Sequence, residues 1–192
     1  DRLILLGDYI DRGSESKEVI DFILDKQAQG YQIIPLLGNH EDMLLNAYED
    51  QRHLPLWLYN GGNKTLESFG IRSIKKLAPE YVKFFQQLDY FFSLDNYLFV
   101  HAGFNDKLED PFDDTYSMIW ECREEYSHAE FREKIIIHGH CAITAGECDE
   151  QITRNSRVID LDTGCVYKKH PGYGNLTAIE LNAKQIFRVR NL

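Results

Sequence analysis

The chain has 192 residues, 43% hydrophobic and 27% charged, enough for one substantial core in a single globular domain and too apolar for a disordered chain. A formal net charge of -10 and a pI near 5.1 exclude a sequence-independent grip on nucleic acid, which needs many Lys and Arg contacts to phosphates. No run approaches the roughly 18 apolar residues of a membrane span, and no basic-then-apolar signal segment opens the chain, so neither a nucleic-acid nor a membrane partner is expected and the location predicted is cytoplasmic.

The apolar run Leu3-Ile4-Leu5-Leu6, stopped by Gly7-Asp8, and the run Ile33 to Leu37, stopped by Gly38-Asn39-His40, read as buried strands. Between them Ser14 or Ser16 can cap a helix with Val19, Ile20, Ile23 and Leu24 on one face, and Gly30 can end it. That arrangement is a βαβ unit with a right-handed crossover. Helical periodicity continues from Glu41 to about Leu88, broken at Asn60-Gly61-Gly62-Asn63. Tyr90 to Leu94 and Tyr97 to Val100 predict a hairpin turning at Asp95-Asn96. Further strands are expected at Ile135 to Ile137, Val158 to Leu161, Leu176 to Leu181 and Ile186 to Val189. No repeat, linker or low-complexity tract divides the chain. Its four cysteines, Cys122, Cys141, Cys148 and Cys165, show neither a CxxC pair nor zinc-ribbon spacing, which predicts reduced thiols.

Four apolar runs each end in glycine with a residue able to bind metal or phosphate: Gly7-Asp8, Gly38-Asn39-His40, His101-Ala102-Gly103 and His138-Gly139-His140. Loops leaving the carboxyl ends of strands gather at one edge of a layered α/β structure, where ligands bind. Carboxylate, amide oxygen and imidazole together suit a borderline cation such as manganese, iron or zinc.

The ordered blocks Gly7-Asp8-Tyr9-Ile10-Asp11-Arg12-Gly13, Gly38-Asn39-His40-Glu41, His101-Ala102-Gly103 and Gly139-His140 resemble the signature of the calcineurin-like metallophosphoesterases, in their phosphoprotein phosphatase branch. Trp57 with Asn60-Gly61-Gly62, the segment from Trp120 to Arg123, and Asp162-Thr163-Gly164-Cys165 are similar to bacterial serine/threonine protein phosphatases of that branch. The resemblance implies an α/β fold, a layered α-β-β-α sandwich of mixed sheets with the site at one sheet edge.

It also implies a role for each matching residue. Asp8 would bridge two divalent or trivalent metal ions, manganese or iron with zinc as an alternative, and Asn39, His101 and His140 would complete the shell of the second. A bridging hydroxide would attack phosphorus in line. Arg12 and Arg123 would bind the phosphoryl oxygens, and His40 would protonate the leaving group with Asp11 fixing its tautomer. The one-residue-longer spacing of Trp120-Glu121-Cys122-Arg123 leaves the register of Arg123 open. His138 reads as a buried neighbour of the site, and His53, His128 and His170 read as surface residues. Substrates implied are a phosphoprotein or a small phosphate ester; a bis(5'-nucleosyl)-tetraphosphatase and a non-catalytic phosphate-binding relic are the alternatives.

The family's Gly-Asp-x-His-Gly block, which completes the first metal site, has no match in residues 1–192. The expectation is therefore one metallophosphoesterase domain over residues 1–192, N-terminally truncated and lacking the first βα unit. A fragment of a longer protein, as the Asp1 start suggests, is favoured over a natural loss. The first metal site is predicted to be incomplete and to bind weakly.

Overall fold

Short apolar runs make strands, and four of the strand ends carry the residues with chemistry. The computed structural model describes residues 1–192 and divides into two compact units, Asp1–Tyr90 and Phe91–Leu192.

In the first unit β1 (Arg2–Leu5) and β2 (Gln32–Pro35) pair in parallel, Leu3 opposite Ile33, with α1 (Ser16–Ala28) as the crossover. The helix buries Ile20 and Ile23 and ends before Gly30, whose φ of +87° suits a residue without Cβ. Neither predicted serine caps it. Glu15 occupies the N-cap without a side-chain hydrogen bond, because Ser16 is buried with its hydroxyl 3.5 Å from that of Thr65. After β2 come α2 (Asn39–Glu49), α3 (Leu54–Trp57), a π-turn over Leu58–Gly62, α4 (Asn63–Ser68) and α5 (Pro79–Gln86). The expected break at Asn60-Gly61-Gly62-Asn63 appears as that turn, where Gly61 takes φ +111°. Proline at the start of α5 costs no intrahelical hydrogen bond, and Tyr81, Val82, Phe84 and Phe85 turn inward.

In the second unit β3 (Phe91–Leu94) and β4 (Tyr97–Val100) form the predicted antiparallel hairpin, with Asp95 at φ +52° in its turn. Parallel strands β5 (Ile135–His138) and β6 (Val158–Asp160) extend it into a sheet of order β3-β4-β5-β6. Leu98, Phe99, Val100, Ile136 and Ile137 are buried in this sheet, each worth roughly 1.5–3 kcal/mol. α6 (Thr115–Trp120) lies between β4 and β5, and α7 (Ala145–Thr153) lies between β5 and β6. Thr144 caps α7: its hydroxyl accepts from the Glu147 N–H at 3.2 Å, and the Glu147 carboxylate accepts from the Thr144 N–H at 2.8 Å. An antiparallel pair, β7 (Asn175–Glu180) and β8 (Gln185–Arg190), closes the chain. The fold is thus mixed α/β, with parallel and antiparallel pairing. No helix is long and apolar enough to cross a membrane.

Burial of Asp160 at the end of β6 gives a stability test. Burial, with the charge of Asp162 adding to it, pushes its carboxyl up to about 8. The folded state therefore holds the proton more tightly than the unfolded chain, whose Asp titrates near ~4. This contribution is whole below about pH 4, falls by up to ~1.4 kcal/mol per pH unit as pH rises, and is gone above about pH 8. Asp160→Asn keeps the oxygen that accepts the Asp162 N–H at 2.8 Å. Urea unfolding from pH 4 to 9 should show the variant gaining on the native protein up to about pH 8 and no further; a constant gap would contradict the assignment.

Candidate active site

In the first unit the loop after β1 is held by one carboxylate. Glu41, fully buried, accepts the N–H groups of Asp8 and Tyr9 at 2.8 Å each and that of Gly38 at 3.1 Å. Burial, then the charge of Asp8, pushes the Glu41 carboxyl up to about 8 against the pull of those N–H groups. Gly38 must lack a side chain: a Cβ there would stand 2.6 Å from the Asp8 nitrogen and 2.7 Å from Glu41 Oε2. Asp8 thereby meets the N-terminus of α2, and its Oδ1 accepts the His40 N–H at 3.3 Å. Negative charge is favoured at that end of a helix. Asn39 is the first residue of α2 and is buried.

His40 is buried between two carboxylates. Its Nδ1 donates to Asp11 Oδ2 at 2.7 Å, and its Nε2 lies 4.0 Å from Asp8 Oδ2. Burial works against the imidazolium, but the hydrogen bond to Asp11 and the charges of Asp8 and Asp11 outweigh it, and the His40 pKa is raised above its usual value. The Asp11 side chain is fully buried and also accepts from Trp57 Nε1 and from the Thr65 hydroxyl. Arg12, next in sequence, is exposed. Its charge opposes protonation of His40.

In the second unit His101 follows β4 and His140 follows β5. His101 Nε2 and His140 Nδ1 stand 3.1 Å apart, and the Gly139 N–H donates to the His101 carbonyl at 2.8 Å. Two imidazole nitrogens each about 2.0–2.1 Å from one cation are separated by about 3 Å when the bond angle is near 100°, so this pair fits a shared metal ion. His138 is buried, its Nδ1 3.0 Å from the Gly139 carbonyl, and burial lowers its pKa to about 4, which keeps it neutral beside the pair. Arg123 is half-buried, with its guanidinium 3.4 Å from Glu121 and 3.8 Å from Asp106 and its Nε buried without a hydrogen-bond partner. The segment carrying it packs through Tyr126 and Phe131 against Phe104.

Asp8, Asp11, Arg12 and His140 are four of the seven non-glycine residues with positive φ. Such backbone costs of order 1–3 kcal/mol per residue and collects at functional sites. The first unit thus brings together Asp8, Asp11, Arg12, Asn39 and His40, and the second brings together His101 and His140, with Arg123 on a neighbouring segment. Three contributors have no role that sequence reasoning assigns. Glu41 stands out only as part of a motif and Trp57 only as a likeness, whereas Thr65 carries no signal at all.

Residues 1–169 match the family described as calcineurin-like phosphoesterase. The chain belongs to that family. As a calcineurin-like phosphoesterase it is a metal-dependent phosphoester hydrolase. Two solved structures share the fold. One, a candidate diadenosine tetraphosphatase, is 17% identical with a TM-score of 0.65 over 100% of this chain and 81% of that one. The other, a metallophosphoesterase from Sphaerobacter thermophilus, is 14% identical with a TM-score of 0.55 over 99% of this chain and 77% of that one. No curated protein matches the chain in sequence.

One expectation is corrected. Cys122 and Cys141 form a disulfide, Cα atoms 6.3 Å apart, leaving only Cys148 and Cys165 as thiols. The chain folds to bring together two cysteines 19 positions apart, a pairing that local spacing does not announce. The bond joins the neighbour of Arg123 to the neighbour of His140. Closing a loop near this length contributes about 3 kcal/mol. Thermal unfolding with and without dithiothreitol should show a lower midpoint on reduction, and a Cys122→Ser, Cys141→Ser double variant should not respond; equal midpoints for the oxidised and reduced native protein would contradict the linkage.

Proposed function

We propose that this phosphoesterase is a serine/threonine protein phosphatase, hydrolysing its substrate by in-line displacement at phosphorus with His40 as the acid for the leaving group. The observation that carries this reading is the buried pair His40 Nδ1 and Asp11 Oδ2 at 2.7 Å, which leaves Nε2 on the side of Asp8. Asp11 holds the tautomer and supports the charged imidazole. Nε2 then gives its proton to the departing serine or threonine oxygen. The exposed Arg12 guanidinium takes two phosphoryl oxygens in a fork that lysine cannot reproduce, and Arg123, whose Nε is unsatisfied, supplies the second cationic contact.

In this reading residues 1–192 act as one domain. Asp8 would be a ligand common to two ions, manganese or iron with zinc as an alternative, and Asn39, His101 and His140 would complete the set that holds the second. A carboxylate, an amide oxygen and two imidazoles are donors that such cations accept. When bound, the ions supply Lewis acidity and an acidified water. For the first ion, Asp8 is the one ligand assigned within residues 1–192.

Cleavage of dinucleoside polyphosphates is the second reading, favoured by the fold shared with the candidate diadenosine tetraphosphatase. With manganese present, release of inorganic phosphate from a phosphothreonine peptide should exceed turnover of diadenosine tetraphosphate; the reverse order would replace the first reading by the second. Binding of both without turnover would instead mark a non-catalytic phosphate binder. His40→Asn should lower kcat by about 10² to 10⁴, and a kcat equal to that of the native protein would remove His40 from the mechanism.

A further inference from the structure

Asp11 and Arg12 are successive non-glycine residues at φ +68° and +58°, and the Gly13 N–H closes the turn on the Asp11 carbonyl. Backbone of this kind persists only where its surroundings over-determine it. Here the surroundings come from one stretch of chain about fifty residues away.

Thr65, 1% exposed, meets Asp11 twice: its hydroxyl accepts the Asp11 N–H at 2.9 Å and donates to Oδ1 at 2.6 Å. Trp57, completely buried, sends its indole N–H to the same carboxylate, 3.0 Å from Oδ2 and 3.2 Å from Oδ1. Buried tryptophan needs only an apolar slot and any acceptor for its N–H. This one faces the carboxylate to which His40 Nδ1 is hydrogen-bonded. Between Trp57 and Thr65 the π-turn brings Gly61 onto the backbone of Arg12. The Gly61 carbonyl accepts the Arg12 N–H at 3.4 Å, and a Cβ on Gly61 would stand 2.9 Å from the Arg12 nitrogen and 3.0 Å from its Cγ. Gly62 in turn packs against the Trp57 ring, where a Cβ would stand 2.5 Å from two ring carbons. The two glycines therefore let the turn pass between Trp57 and Arg12.

We propose that Trp57, Gly61 and Thr65 are positioning residues: Trp57 and Thr65 orient the Asp11 carboxylate toward His40, and Gly61 sets the direction of Arg12. The inference rests on the roles given to Asp11, Arg12 and His40 above. It divides the segment's work in two, since the Asp11 contacts serve leaving-group protonation and the Gly61 contact serves phosphate binding. A segment that merely filled the core would give no such division.

Three variants separate these possibilities, each first checked for a native circular dichroism spectrum. Thr65→Val should lower kcat on the phosphothreonine peptide about tenfold with KM unchanged, and Thr65→Ser, which keeps the hydroxyl, should restore it. Gly61→Ala should raise KM, and the dissociation constant for inorganic phosphate, about tenfold with kcat little changed; both magnitudes are those of residues that orient a ligand through a second contact. A readout independent of turnover is the indole N–H resonance of Trp57, assigned against Trp120 by ¹H–¹⁵N spectroscopy. It should move in Thr65→Val and return in Thr65→Ser. Equal loss in Thr65→Val and Thr65→Ser, or an unmoved indole resonance together with unchanged phosphate affinity in Gly61→Ala, would overturn the proposal. If the native protein turns over neither substrate, the functional reading fails, while the resonance and phosphate affinity still decide the positioning roles.

Discussion

Much of the first unit's site depends on one buried carboxylate. Glu41 is the third residue of α2 and accepts three backbone N–H groups, from Asp8 and Tyr9 after β1 and from Gly38 after β2. Two loops that leave parallel strands are thereby held together at their carboxyl ends. Without that acceptor the buried Gly38 N–H would be unsatisfied, at about 1–3 kcal/mol, and the part-buried N–H groups of Asp8 and Tyr9 would lose their partner. The contact also dictates neighbouring identities, since Gly38 must be bare and the turn carrying Asp8 must adopt left-handed backbone. Asp8, Asn39 and His40 owe their placement to it.

The electrostatics reflect that arrangement. Asp8, Asp11 and Glu41 crowd three carboxylates around His40, with Arg12 as the adjacent fixed cation. Burial and the charge of Asp8 raise the Glu41 carboxyl, and Asp11 with Asp8 favours the protonated form of His40. A cluster like this attracts cations, and it would repel a phosphate unless cations were present. The chain's overall charge of -10 is compatible with a phosphate-handling enzyme for that reason: in the proposed reading the positive charge is local, from ions and from Arg12 and Arg123. In the second unit burial keeps His138 neutral, so it adds no charge beside the His101–His140 pair.

The legible elements have short-range signatures. Each strand is announced by a β-branched or aromatic run with a glycine, asparagine or aspartate stop, and spacing alone indicates the βαβ unit and the β3–β4 hairpin. Asp8, Asn39, His101 and His140 are visible because each stands where an apolar run ends. The illegible elements depend on contacts between residues far apart in sequence. Thr65 reaches Asp11 across 54 positions, Ser16 gives up capping α1 to lie beside Thr65, and Cys122 pairs with Cys141 without a recognisable spacing. Trp57 is legible as a motif but not as a hydrogen-bond donor, because periodicity indicates burial and says nothing about which edge of an indole is used.

The proposed hydrolysis has Asp8, Asn39, His101 and His140 as ligands of one cation. Anomalous diffraction at the manganese edge, from crystals grown with that metal, tests this most directly. A peak is expected within coordinating distance of a donor atom of each of the four side chains. A peak away from these side chains, or one that leaves any of the four uncoordinated, would contradict the account.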